Sequence, residues 1–127
     1  MSKRKLSLHI RIPEYRNPRN DWRKRIHAIA EQKTLENNIK YKSSDKLQLI
    51  VRLYFNKDNI GFHDVDNRLK DIMDALQGRM GGKKGKSKYM NLIPNDNQVY
   101  KVTIEKSIAP KQSHNFGHVI VRKLLGS

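Results

Sequence analysis

The chain has 127 residues, the size of a single domain, and no cysteine, which excludes disulfides, thiol catalysis and cysteine-ligated zinc. Twenty-seven Lys and Arg against twelve Asp and Glu leave a net charge of +15 at pH 7. That balance favours a polyanionic partner, nucleic acid above all, and no stretch approaches the ~20 apolar residues of a membrane span.

Residues 5–12 alternate Leu6, Leu8, Ile10 and Ile12 with polar neighbours, the period of a half-buried strand. Pro13 and Pro18 break the chain into a basic loop. Asp21 is placed to cap a helix running to about residue 38, with Trp22, Ile26, Ile29 and Ala30 on one stripe. Residues 46–55 alternate again through Leu47, Leu49, Val51, Leu53 and Phe55, which predicts a second strand. After a loop at 59–63, Leu69, Ile72, Met73 and Leu76 fall at helical spacing and predict a helix over 65–76. Gly78, Gly81, Gly82 and Gly85 break up the segment beyond this helix, and five basic residues with no acid lie from Arg79 to Lys88. Strands over 98–108 and 118–124, joined by a loop at 110–117, close the chain. The order β-α-β-α-β-β predicts one α/β (α+β-like) domain over 1–127, with a mixed four-stranded sheet and two main helices.

Half of the twelve acids, Asp58, Asp64, Asp66, Asp71, Asp74 and Asp96, fall within one short window of this basic chain. Asp64 and Asp66 are two apart where a loop meets a helix, so in extended backbone both carboxylates can face one space. Paired carboxylates repel unless a proton or a cation joins them, and Mg²⁺ takes oxygen ligands while keeping several waters. Each acid also has a plain structural reading. Asp64 suits a helix N-cap, Asp66 a first-turn acid, and Asp96, in Pro94-Asn95-Asp96-Asn97, a turn. Lys70, one helical turn after Asp66, can hold a phosphate or form an ordinary i, i+4 pair. Asp74 can tether Lys70, and Asp71 reads as solvated surface. His63 adjoins the acids and invites a general-base reading, against that of an incidental loop histidine with no visible partner, and Gln98 either starts a strand or touches the site.

The joint pattern is more specific than its parts. Asp64-Val65-Asp66-Asn67-Arg68-Leu69-Lys70, then Asp74-Ala75-Leu76, then Asn95-Asp96-Asn97-Gln98-Val99, resembles the RusA family of Holliday junction resolvases. The resemblance spans 64–99, and the strands around it come in the expected order. It implies a compact α/β homodimer that resolves four-way DNA junctions by paired symmetric nicks in recombination and repair. It also implies dependence on Mg²⁺, with Mn²⁺ as a substitute, and Asp64, Asp66 and Asp96 as catalytic metal-binding carboxylates. By the same resemblance Lys70 is the active-site lysine and Asn67 the helix-start asparagine. Asn67, Lys70, Arg79, Lys83, Lys84, Lys86 and Lys88 are the candidate DNA contacts. Neither a membrane nor a small-molecule cofactor is expected. The missing cysteines fit a cytoplasmic location, and a bacterial, prophage or phage setting would go with the resemblance. This chain departs from the family in having Asn95 where an acid often precedes Asp96, and in a longer, more basic loop at 78–91.

Two other readings stay open on the residues themselves. One is a basic nucleic-acid-binding protein without catalysis, its acids serving as caps and turns. The other is a different metal-dependent phosphodiesterase on a similar layout.

Overall fold

The computed structural model describes residues 7–58, 60–62, 64–79, 89–109 and 117–124. Six main elements come in the order β1 (Ser7–Ile12), α1 (Arg19–Glu36), β2 (Leu47–Phe55), α2 (Val65–Leu76), β3 (Val99–Ile108) and β4 (Gly117–Lys123). The sheet runs β1-β4-β2-β3, with β4 antiparallel to both β1 and β2, and β3 parallel to β2. This is the mixed four-stranded sheet with two helices that the patterning predicts.

Alternation decides which face is covered. Leu8, Ile10 and Ile12, then Leu47, Leu49, Val51, Leu53 and Phe55, then Val119 and Val121 are all buried. They meet Trp22, Ile26 and Ala30 of α1 and Ile72, Ala75 and Leu76 of α2. The intervening His9, Arg11, Arg52, His118 and Arg122 are exposed, so both helices lie on one side and the other face of the sheet is open and basic. Gly117 is required where β4 begins. A Cβ there would come within 2.9 Å of both Ile12 Cγ1 and Leu53 Cδ2.

α1 begins two residues before the expected cap. Pro18 occupies the N-cap position, and its carbonyl accepts from the N–H groups of Asp21 and Trp22. Asp21 therefore lies inside the first turn, where its charge still suits the helix dipole. α2 has the bounds its periodicity predicts, and Asp64 caps it. It stops where Gly78 turns with φ +74°, a conformation that favours glycine, and where a Cβ would meet the Tyr89 carbonyl at 2.8 Å.

The β2-α2-β3 unit fixes the two ends of the candidate site. Because β2 and β3 are parallel, α2 must return along the sheet between them. Its N-terminus therefore stands at the end where both strands finish, its C-terminus at the end where they start. Lys106, near the end of β3, donates to the Ile60 carbonyl at 2.9 Å and so holds the 3₁₀ turn Ile60–Phe62 that leads into Asp64. At the far end Leu92 and Ile93 donate their N–H groups to the Leu76 carbonyl. His27 there donates from Nε2 to the Met90 carbonyl at 2.8 Å.

Candidate active site

The N-terminus of α2 presents Asp64, Asp66, Asn67 and Lys70 to solvent. The opposite face of the helix buries Arg68, Asp71, Ile72, Ala75 and Leu76, so the exposed set shares the side pointing away from the core. Asp64 sits in extended backbone (φ −88°, ψ 123°), and its Oδ1 accepts from the Asp66 N–H at 3.3 Å. Asp64 thus performs the capping role that suits an aspartate at a helix start. Asp64 at the cap and Asp66 in the first turn both lie at the positive end of the helix dipole. Lys70 follows Asp66 by one turn, within reach of an anion bound there.

Asp96 is elsewhere. It opens a 3₁₀ turn, Asp96–Gln98, directly ahead of β3, and it is exposed. Gln98 anchors that turn: its side-chain oxygen accepts from the Asn95 N–H at 2.8 Å, and its amide donates to the carbonyls of Lys42 and Asp45. Gln98 is therefore structural, buried where β2 and β3 start. The twelve residues of α2, about 18 Å at 1.5 Å per residue, separate this end from Asp64 and Asp66. Among the described residues no three His, Cys, Asp or Glu side chains gather into a group able to hold a metal ion. Two carboxylates fit a hydrated Mg²⁺ at the start of α2, but the third is not brought to them within one chain.

Arg79 follows α2, its N–H bonded to the Asp74 carbonyl, so it shares the Asp96 end, where a cation complements the helix dipole. The remaining basic candidates, Lys83, Lys84, Lys86 and Lys88, and also His63, lie outside the described residues.

Asp71 is not solvated surface, as its sequence position suggests; it is wholly buried. Arg19 reaches its Oδ1 with Nη2 at 2.8 Å and Nε at 3.0 Å, and Arg23 does so at 2.9 and 3.0 Å. Arg68 comes within 3.3 Å of Oδ2 and lays its guanidinium on the Tyr15 ring, 3.6 Å from the centroid. Asp74 pairs with Arg23 at 3.4 Å. It therefore joins this network, where the sequence suggests a tether for Lys70. The hydrogen bond to Asp71 holds the Arg19 guanidinium still more firmly protonated than usual. Asp71 Oδ2 and Arg68 Nε have no hydrogen-bond partner among the described residues, so the Arg68 contact is charge attraction without good alignment. This network locks α1 against α2 and sets the pose of the helix that carries Asp66 and Lys70. Its only trace in the sequence is Arg68 three residues before Asp71, with Arg19 and Arg23 one turn apart.

No protein-family model matches the chain, and no curated protein matches it. No helix among the described residues is long and apolar enough to cross a membrane.

Proposed function

We propose that the chain is a Mg²⁺-dependent endonuclease acting on branched DNA, a four-way junction resolvase of the kind its motif resembles. The observation that carries this reading is the exposed set at the start of α2. Asp64 and Asp66, two residues apart, are both exposed there, as are Asn67 and Lys70, in a chain of charge +15. Acids are scarce in this protein, and placing two of them next to a lysine on an accessible helix end serves metal-assisted phosphate chemistry. A bound Mg²⁺ would supply an activated water and neutralise charge on the phosphoryl group. Asp64 and Asp66 would hold it, Lys70 would steady the scissile phosphate, and Asn67 would donate its amide to the backbone. The excess positive charge draws DNA in at long range. A cytoplasmic, bacterial or phage setting belongs to the same proposal.

A second reading has a specific observation in its favour. Asp64 is used as a helix cap, and among the described residues one chain assembles no triad. A non-catalytic DNA-binding protein would need nothing more.

Cleavage of a synthetic four-way junction with Mg²⁺, beside a linear duplex and beside Asp66→Asn, separates the two. The nuclease reading expects paired nicks in the junction, little cutting of the duplex, and loss of cutting in Asp66→Asn with binding kept or tightened. Binding without cutting by the wild type would leave the second reading.

A further inference from the structure

Among the described residues no helix covers the face of the sheet turned away from α1 and α2. Its centre is apolar: Ile50 of β2 stands opposite Ile120 of β4. The strand register sets Arg11, His118 and Arg52 in the row on one side of this pair, and Arg122 and Lys101 in the row on the other. Tyr54, one step further along β2, meets the His118 ring edge to face, with centroids 5.9 Å apart and planes at 88°. Ile50, Ile120, Tyr54 and His118, with Arg52 and Glu105, line a hollow of about 270 Å³.

Cations alone would make this an ordinary solvated face, such as open sheets often carry. The isoleucine pair and the two rings inside a cationic frame go beyond that. Glu105 is the only acid among the described strand residues of this face, and Arg52 is bonded to it. Arg122 donates from Nε to Gln48 Oε1 at 3.1 Å. Both guanidinium groups are thereby held over the sheet, and with five N–H donors each has others to offer a phosphate oxygen.

We propose that the open face is a platform for single-stranded nucleic acid. Unpaired bases lie over Tyr54, His118 and the isoleucine pair, while Arg11, Arg52, Arg122 and Lys101 take the phosphates. The platform needs neither a metal nor the carboxylates at the start of α2, so it does not rest on the nuclease reading.

The shape and charge of the face select this occupant. A duplex keeps its bases inside the stack, and a flat four-stranded surface enters neither of its grooves. An unpaired strand offers base faces that stack on aromatic rings whatever the sequence, and a backbone that follows a basic surface. An acidic peptide matches the cations but brings no flat partner for the rings. A second copy of the face would set cations against cations.

The test is fluorescence anisotropy of labelled oligo-dT and oligo-U, each about a dozen nucleotides long, beside a duplex, with EDTA present so that nothing is cut. Tyr54→Leu keeps an apolar side chain and removes the ring. It should weaken single-strand binding at least about fivefold, with the salt slope unchanged and duplex binding unaffected. Arg122→Gln, at an exposed position, should instead lower the single-strand log–log salt slope by about 0.7. Lys24→Gln removes the same charge from an exposed position on α1 and should leave single-strand binding nearly as it is. Equal effects of Arg122→Gln and Lys24→Gln overturn the proposal, and so does a folded Tyr54→Leu that weakens single strand and duplex alike. If thermal melting shows Tyr54→Leu to be unfolded, the Arg122 and Lys24 pair decides alone. Tighter binding of oligo-U assigns the platform to RNA and tighter binding of oligo-dT to DNA, and either sustains it. Face variants that alter sedimentation but not oligonucleotide binding would give the face to a second copy and overturn it.

Discussion

Replacing Asp71 by Ala should be among the most destabilising single changes in this protein. Asp71 is wholly buried, and three guanidinium groups approach it within 3.3 Å. Removing it leaves those cations without their counter-charge, a change that costs about 3–5 kcal/mol for a buried pair. The three arginines do not suffer equally. The side chain of Arg19 is 41% exposed and can turn to water, and Arg23, 16% exposed, keeps Asp74. Arg68, 8% exposed and stacked on Tyr15, has neither outlet. The loss should therefore sit near the lower end, about 3 kcal/mol, which for a domain of this size lowers Tm by about 10 °C. Arg19→Ala, at an exposed end of the same network, should cost about 1 kcal/mol or less. Urea denaturation of the two variants beside the wild type measures both numbers. A loss below ~1 kcal/mol for Asp71→Ala would show that the arginines reach water without strain and that the network does not lock the helices.

Lys70→Ala should slow cutting of a four-way junction by about 10²–10³-fold while changing junction affinity little, measured by single-turnover kinetics and gel shift. Neutralising Lys83, Lys84, Lys86 and Lys88 together should flatten the salt dependence of DNA binding, by about 0.9 in log–log slope for each phosphate no longer neutralised. Asp45 titrates below the ordinary carboxylate range because the Lys42 N–H bonds it and Lys123 pairs with it. Its contribution to stability is therefore present above the unfolded pKa and lost as pH falls through the lower folded value. Asp45→Asn should be less stable at neutral pH and should lose less than the wild type on further acidification, as read from urea midpoints across the acid range.

The strands and α2 are legible because their signal is local. Leu47 to Phe55 alternate without a break, and Asp64, Leu69, Ile72 and Leu76 mark a cap and a stripe. The start of α1 is ambiguous because two cap signals lie three residues apart, and Pro18, which has no N–H to satisfy, takes the position ahead of Asp21. Asp71 is hidden for a different reason. Periodicity counts apolar positions, so two charges at 68 and 71 on the buried stripe look like surface until α1 supplies Arg19 and Arg23. The candidate site is half legible. Asp64, Asp66, Asn67 and Lys70 share an exposed helix face as their spacing requires. Among the described residues of one chain Asp96 is not grouped with them, because the residue before a parallel strand and the start of the crossover helix occupy opposite ends of the sheet. That results from β3 running parallel to β2, a long-range choice that no local pattern encodes.

The sheet order also governs how the chain can fold. β4 lies between β1 and β2, so Leu8 must find Val121 across nearly the whole length of the chain. β2 and β3, although parallel neighbours, are joined through α2 and the long connection after it. Few of these pairings are local, and closing such loops costs entropy before any strand contact compensates for it. Folding should therefore take milliseconds to seconds, with the helices forming early and the β1–β4 pairing late. Until it forms, β4 lacks one of its two neighbours, and the interval in which a nascent chain exposes that inner strand is set by topology, not by the strength of the finished core.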